Sequence, residues 1–357
     1  MRKRLSNLYL LCFMSKRIIT LKELAKKLGF SISTISRALN DHPDISENTK
    51  SLVQNLAKSL HYEPNLIAKG FRKSKLNIIG VIVPNVTVYY TSTVLKGIIE
   101  QAEKDGYRVI ITETKNDIQK QTEILHVLIQ FGVDGILMSL SKNSNDIDEI
   151  YKIVNTIPLV LFDKVSSRIP CTKIVINEEE ASYNAVKHLI NIGKKRIAII
   201  KETEFSYVSN KRYNGYLNAL KKHNLRIDQS LILSCDDLTL KKGQELTKTL
   251  LDNDPLPDAI FTITDNAAVG TIQVLKKHGI VIPDEIAVIG YSNSLVSRVI
   301  EPSLTTVDQP GKRMGHTAVS YLLEEIEKKE YEMINRTVEI KTNLIIRKST
   351  VNKQPKN

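Results

Sequence analysis

The chain has 357 residues, enough for two or three domains with a sizeable core. Lys and Arg number 51 against 39 Asp and Glu, a net charge of +12, and 42% of residues are hydrophobic, the make-up of a soluble globular protein. No apolar run reaches the roughly 20 residues that span a bilayer, and three scattered cysteines (Cys12, Cys171, Cys235) give no disulfide framework, so a cytoplasmic location is expected.

The charge is unevenly placed. Residues 1–75 hold fifteen Lys and Arg against five Asp and Glu, and the remainder of the chain holds 36 against 34. A basic block of this kind suits a polyanion or an anionic membrane surface, with a solvated basic tail as the plain alternative. The start, "MRKRLSNLYLLCFMSKR", has a basic head and a short apolar stretch from Leu8 to Met14, but no small-x-small cleavage site follows. Residues 1–17 read as a disordered leader, or as an over-extended start with Met14 as the initiator.

Residues 18–63 read as helices only. "TLKELAKKL" places Leu21, Leu24, Ala25 and Leu28 on one stripe, with Thr20 to cap the start and Gly29 the end. A second helix follows three residues later, with Ser31 as N-cap and Ile35, Ala38 and Leu39 facing inward. Ser46 caps a third, whose expected inner face is Leu52, Val53, Leu56 and Leu60. Three short helices with a tight Gly turn between the first two form a helix-turn-helix domain. The second helix of such a domain enters the major groove. Here it carries Ser33, Thr34, Ser36 and Arg37, although Ser and Thr are only middling helix formers. Short hydroxyls reach phosphates and bases, and Arg37 has the fork that matches guanine O6 and N7. Ser33 and Arg37 are four apart and share a face. The alternative is a three-helix packing module with a polar surface.

Residues 64–76 read as a hinge. Pro64 breaks the third helix, and Lys69, Arg72, Lys73 and Lys75 follow with no acid among them. From 77 to 350 the texture changes. Nine β-branched runs ("IIGVIVP", "YRVIITET", "DGILMS", "PLVLFD", "TKIVIN", "RIAIIK", "LILSCD", "AIFTIT", "IAVIGYS") alternate with amphipathic stretches. Continuous apolar strands separated by helices indicate α/β architecture with parallel sheets covered on both faces. The simplest arrangement is two similar lobes, split near 174, with the C-terminal segment crossing back over both. Residues 351–357 are a polar tail. Open α/β sheets bind ligands beyond the carboxyl ends of their strands, which two facing lobes would gather around one cleft.

"ITLKELAKKLGFSISTISRALND", then "ISENTKSLVQNLAKSLHYEPNLIAKGFR", then "GVIVPN", in this order, closely resemble the LacI/GalR family of bacterial transcriptional regulators, from Ile18 to about Thr350. The resemblance implies a periplasmic-binding-protein-like core behind the helix-turn-helix, a homodimer on near-palindromic double-stranded operator DNA, repression as the output, and control by a small carbohydrate-like effector. It implies that Ile32, Ser33 and Arg37 face base edges while Thr20, Ser31, Thr34, Ser36 and Asn40 hold the DNA backbone. Ile32 also fits the core stripe. It carries DNA contact to Asn65, Ala68 and Lys69, and gives Phe71 of "AKGFR" the place of a wedge in the minor groove. Packing of Phe71 into the following domain is the alternative. Effector contact is implied for Tyr89, Tyr90, Ser141, Asp163, Arg212, Asp265 and Ser292. Asp265 suits a helix cap equally well, and Arg212 a structural pair with an acid. Where the family has Gly-aromatic-Asp, this chain reads "GYSNS" (290–294), with Ser292 for the Asp. That puts a plain monosaccharide in doubt and makes an oligosaccharide or a sugar phosphate as good a candidate.

Other functions fit less well. A periplasmic sugar-binding protein would use the same core, but requires export and leaves the basic head without work. No GxGxxG or GxxxxGK[ST] follows a strand, no GxSxG elbow is present, and the seven histidines show no metal-ligand spacing, so neither an enzyme nor a cofactor is expected.

Overall fold

The computed structural model describes residues 19–60, 62, 75–142, 148–154, 156–203, 206–328 and 334–351. The chain divides into two compact units, Met1–Leu76 and Asn77–Asn357.

In the first unit α1 (Leu21–Leu28), α2 (Ile32–Leu39) and α3 (Glu47–Ser59) follow one another closely. Each begins where a hydroxyl satisfies an orphan backbone N–H. Thr20 Oγ1 accepts from the Glu23 N–H while the Glu23 carboxylate accepts from the Thr20 N–H, a capping box. Ser31 Oγ accepts from Thr34 N at 3.1 Å and Ser46 Oγ from Thr49 N at 3.3 Å. Gly29, at φ 71°, makes the left-handed turn that ends α1 and lets α2 cross it. Leu24, Ile35, Ala38 and Val53 are fully buried in the shared core. Leu52 does not join them and is half exposed. The inner line of α3 runs through Lys50, Val53 and Ala57, and Leu52 lies off that stripe. The Lys50 ammonium pairs with Asp41 Oδ1 at 2.7 Å and Glu47 Oε1 at 2.8 Å, tying the loop after α2 to the start of α3.

The second unit holds two six-stranded sheets. The first lobe comprises β1 (Ile78–Val83), α4 (Tyr89–Lys104), β2 (Arg108–Glu113), α5 (Ile118–Phe131), β3 (Gly135–Met138), α6 (Asp148–Ile153), β4 (Leu159–Phe162) and β5 (Thr172–Ile176). The second comprises α7 (Glu178–Asn191), β6 (Ile197–Glu202), α8 (Tyr207–Lys222), β7 (Ile232–Cys235), α9 (Leu240–Leu251), β8 (Ala259–Thr262), α10 (Asp265–Lys277), β9 (Ala287–Tyr291), α11 (Val296–Val299) and β10 (Thr305–Asp308). The chain then returns. α12 (Gly311–Ile326) packs on the first lobe, β11 (Thr337–Ile340) joins its sheet, and β12 (Asn343–Ile345) joins the second. The sheet orders are β11-β5-β4-β3-β1-β2 and β12-β10-β9-β8-β6-β7, with every pairing parallel except β12 on β10. Because helices cover both faces, the central strands are buried along nearly their whole length, and each fully buried Ile or Leu contributes about 1.5–3 kcal/mol relative to exposure.

The backbone passes between lobes after β5, after β10 and after β11. Two of these passages are bonded together: the Thr342 N–H and hydroxyl both donate to Asn177 Oδ1, each at 3.0 Å. α4 and α12 approach backbone to backbone. A Cβ at Gly97 would overlap the Lys312 carbonyl, and one at Gly315 the Val94 carbonyl. No helix among the described residues is long and apolar enough to cross a membrane.

Candidate functional site

On the first unit, α2 presents Ile32, Ser33 and Arg37 outward. Ile32 is 43% exposed, so core packing is not its role. Ser33 Oγ lies 2.7 Å from Ser31 Oγ, and Thr34 Oγ1 2.8 Å from the same atom. Arg37 is exposed and loosely paired with Asp44 at 3.9 Å, which leaves its donors largely available. Thr20, Ser31 and Thr34 are occupied in capping, and Asn40 Nδ2 donates to the Ser36 carbonyl at 2.7 Å at the other end of the helix. These four therefore set the backbone of α1 and α2, and Lys22, Lys26 and Lys27 of α1 are exposed. Asn65, Ala68, Lys69 and Phe71 lie outside the described residues.

In the second unit, the candidate effector residues fall just after strands or near the starts of helices, with Arg212 in the second turn of α8. Asp163 follows β4 with φ 60°, a left-handed conformation that Asp tolerates better than most side chains. It is half-buried. Burial, with Glu178 nearby, pushes its carboxyl up to about 6 despite the adjacent Lys164 and Arg212 cations. Burial lowers the Lys164 ammonium from its ordinary range, and no hydrogen bond or ion pair to its side chain occurs among the described residues. Gln121 Nε2, behind the end of β3, is buried with no hydrogen-bond partner among the described residues, and Ser139 lies beside the Asp163 carboxyl. Ser141 is buried on the first lobe, with its hydroxyl 2.8 Å from Thr114 Oγ1 and its N–H on Gln121 Oε1 at 2.7 Å.

Two of the candidates are engaged by the protein itself. Arg212 makes a bidentate pair with Glu178, Nε to Oε2 at 2.7 Å and Nη2 to Oε1 at 2.9 Å, and its Nη1 donates to the Ile263 carbonyl at 2.7 Å. The guanidinium lies 3.6 Å from the Tyr291 ring centroid, and Tyr291 Oη donates to the same Glu178 carboxylate at 2.7 Å. Glu178 and Tyr291, on neither count expected from the sequence, thus complete a buried cluster at the second lobe's strand ends. Asp265 is 2% exposed. Its Oδ2 accepts from the Ser294 N–H and hydroxyl, and its Oδ1 from Thr306 Oγ1 at 2.6 Å. The helix cap is Thr264; Asp265 instead holds the turn 292–294. That turn needs holding, because Ser292 (φ 119°) and Asn293 (φ 48°) both sit in the region that favours glycine. Ser292 N–H donates to the Val307 carbonyl at 2.9 Å, and Arg347 Nη2 donates to Asn293 Oδ1 at 2.7 Å.

Tyr90 is buried, and its hydroxyl donates to Met314 Sδ at 3.0 Å. Tyr89, one residue earlier, is 43% exposed and lines the same cavity as Ser292. The structure thus brings Tyr89 and Ser292 together, gathers Tyr90, Asp163 and Arg212 within electrostatic reach of one another, and leaves Ser141 and Asp265 bonded inside their own lobes. Across the facing strand ends, Lys142 of the first lobe pairs with Glu202 of the second at 2.7 Å.

Comparison with known proteins agrees with this architecture. The family model "Bacterial regulatory proteins, lacI family" matches residues 20–65, and "Periplasmic binding protein-like domain" matches 186–350. The NTD biosynthesis operon regulator NtdR of Bacillus subtilis is 32% identical over 93% of this chain and 99% of its own length. The HTH-type transcriptional repressor PurR of Actinobacillus pleuropneumoniae serotype 3 is 31% identical over 93% and 98%. Among solved structures, a lac repressor dimer bound to operator and an anti-inducer shares the fold, with a TM-score of 0.83 at 23% identity over 94% of this chain and 100% of that one. A helix-turn-helix head on a two-lobed core, matched along nearly its whole length by such relatives, places the chain in the lacI family of bacterial regulatory proteins, as a DNA-binding transcriptional regulator and not an enzyme.

Proposed function

We propose that this protein is a cytoplasmic, nucleoid-associated repressor that binds a near-palindromic operator as a homodimer and answers to a small carbohydrate-like effector held between its lobes. The observation that carries the DNA half is the outward face of α2, where Ile32, Ser33 and Arg37 stand exposed on a helix whose neighbours are spent on capping. Arg37 reads a guanine, Ser33 an adjacent base or phosphate, and the lysines of α1 add phosphate contacts that carry no sequence information. Thr20, Ser31, Thr34, Ser36 and Asn40 fix the register on the backbone. In the hinge, Asn65, Ala68 and Lys69 follow the groove and Phe71 parts a base step.

Support for a dimer comes from α11 and the residue before it. Leu295 is 64% exposed and Val299 73% exposed, apolar surface that a second copy would cover. Support for the effector site comes from Tyr89, whose exposed ring offers a face to a sugar. Arg212 and Asp265 act behind the ligand, the first by orienting Glu178 and Tyr291, the second by shaping the turn that presents Ser292. Effector binding shifts how the lobes meet, and so the population competent for DNA.

The experiment is selection of operators from a random pool by the full chain, followed by fluorescence anisotropy at two salt concentrations. A palindromic site bound far more tightly than bulk DNA, with a steep salt slope, is expected. Uniform weak binding to all sequences would remove the operator reading.

A further inference from the structure

The first unit is strongly basic, yet an acid stands beside the arginine of its outward helix face. Residues 1–75 hold five acids: Glu23, Asp41, Asp44, Glu47 and Glu63. Glu63 lies outside the described residues. Glu23 completes the capping box of α1, and Asp41 and Glu47 both pair with the buried Lys50. Asp44 has no such task in the core. Its exposed carboxylate faces Arg37 Nη1 at 3.9 Å and His42 Nδ1 at 3.3 Å. An acid on a surface that meets a polyanion weakens the phosphate contacts around it, so its place there needs a reason.

The chain between α2 and α3 fixes that place. Asp41 is left-handed at φ 55°, which its short polar side chain tolerates. The His42 N–H donates to the carbonyl of Arg37 itself at 3.0 Å, and the Asp41 N–H to the Ala38 carbonyl at 3.3 Å. These two bonds close a Schellman motif that folds the chain back at the end of α2. Beyond it, the Asp44 N–H donates to His42 Nδ1 at 3.3 Å, Ile45 packs against the core, and Lys50 ties Asp41 to α3. The backbone thus brings the Asp44 carboxylate to Arg37. In water an exposed pair at this distance contributes little. In a groove that has shed its water the same two charges interact more strongly.

We propose that Asp44 is a specificity-determining positioning residue of the DNA-binding surface, acting through Arg37. The inference rests on the reading of Arg37 as a base contact. A guanidinium has five donors and a guanine takes two, so one carboxylate can steady the fork without displacing it. Where the site offers no guanine, a free arginine would turn to a phosphate. Asp44 opposes that turn twice, by holding Arg37 and by repelling the phosphate. Discrimination is a difference of affinities, and an acid here lowers the wrong one.

The test uses the full chain as wild type, Asp44→Asn, Arg37→Ala and the double variant. Each is titrated by fluorescence anisotropy with three DNAs: the operator selected by wild type, that operator changed at the base pair whose preference Arg37→Ala relaxes, and bulk DNA. Asp44→Asn should bind bulk DNA about threefold more tightly and lose about five- to tenfold in discrimination at that base pair. In the Arg37→Ala background it should still tighten bulk binding but cost no further discrimination. Its urea midpoint should match wild type, which separates positioning from folding. Undiminished discrimination in Asp44→Asn, or an equal loss with and without Arg37, overturns the proposal while Arg37 keeps its role. Full discrimination at every base pair in Arg37→Ala would instead remove the reading of Arg37, and this proposal with it.

Discussion

The Lys142 ammonium lies 2.7 Å from Glu202 Oε1 and 3.1 Å from the Asp236 carbonyl oxygen, joining the end of β3 in one lobe to the ends of β6 and β7 in the other. Both side chains are 17% exposed, so the pair is screened less than a surface bridge. A contact of this kind counts only in the arrangement of lobes that makes it. Lys142→Ala and Glu202→Ala should each destabilise the core, with a coupling of about 1 kcal/mol in a double-mutant cycle by urea unfolding. The swap Lys142→Glu/Glu202→Lys should recover part of the loss. Additive single effects would show that the lobes are not held there.

Arg212 and Glu178 form a pair of another type. Both are nearly fully buried, the geometry is bidentate, and Tyr291 adds a third contact. Removing one partner strands a charge, so Arg212→Ala should cost about 3–5 kcal/mol in unfolding free energy. Replacing both, as Arg212→Met/Glu178→Gln, should cost clearly less than the single change. A mild single-variant effect would mean that Arg212 is a ligand residue after all.

The pattern of what the residues disclosed follows from physics. All nine β-branched runs are strands; seven are buried on both faces and so apolar along nearly their whole length, while β2 and β7 are partly exposed sheet edges. β10, β11 and β12 carry no such run. "TTVD", "TVEI" and "NLI" are short and half polar, and two of the three are sheet edges. The caps at Thr20, Ser31 and Ser46 were legible because capping is local. The partner of Arg212 was not, since Glu178 lies on a different helix and reads in sequence as the first of three acids favouring a helix start. Leu52 shows the converse: an apolar residue beside the stripe that nonetheless faces solvent.

Asp163 should make stability depend on pH. Its carboxyl titrates at about 6 in the folded chain against an ordinary 3.8, chiefly because of burial. A raised value means that the folded state binds the proton more tightly. The contribution is therefore fully present below about pH 4 and is lost as pH rises to about 6. Asp163→Asn should leave unfolding free energy unchanged at pH 4 and raise it at pH 7.5 by about 2 kcal/mol. Asn also tolerates the left-handed backbone at this position. A flat difference across that window would place the proton elsewhere.

Arg37 and Phe71 should separate reading from holding. Arg37→Ala should weaken the selected operator by about 1–3 kcal/mol and relax preference at one base pair, with little change on bulk DNA. Phe71→Ala should abolish specific binding and leave salt-sensitive non-specific binding. Unchanged operator affinity in the second variant would assign Phe71 to packing of the core.

The exposed pair at the two ends of α11, Leu295 just before it and Val299 its last residue, gives the dimer its own test. Leu295 and Val299 stand out of a surface where the neighbouring Ser294 and Ser297 are buried and bonded, so the apolar groups are presented on an ordered base. Val299→Asp would place a charge on that patch without touching the core. By analytical ultracentrifugation it should shift the chain toward monomer, and operator affinity should fall about tenfold or more, because each half-site would then be bound alone. The isolated first unit needs no such contact to fold around Leu24, Ile35 and Val53, so helix content should not change. A variant that stays dimeric would move the interface to another face, and one that turns monomeric with full operator affinity would break the link between symmetry and the palindrome.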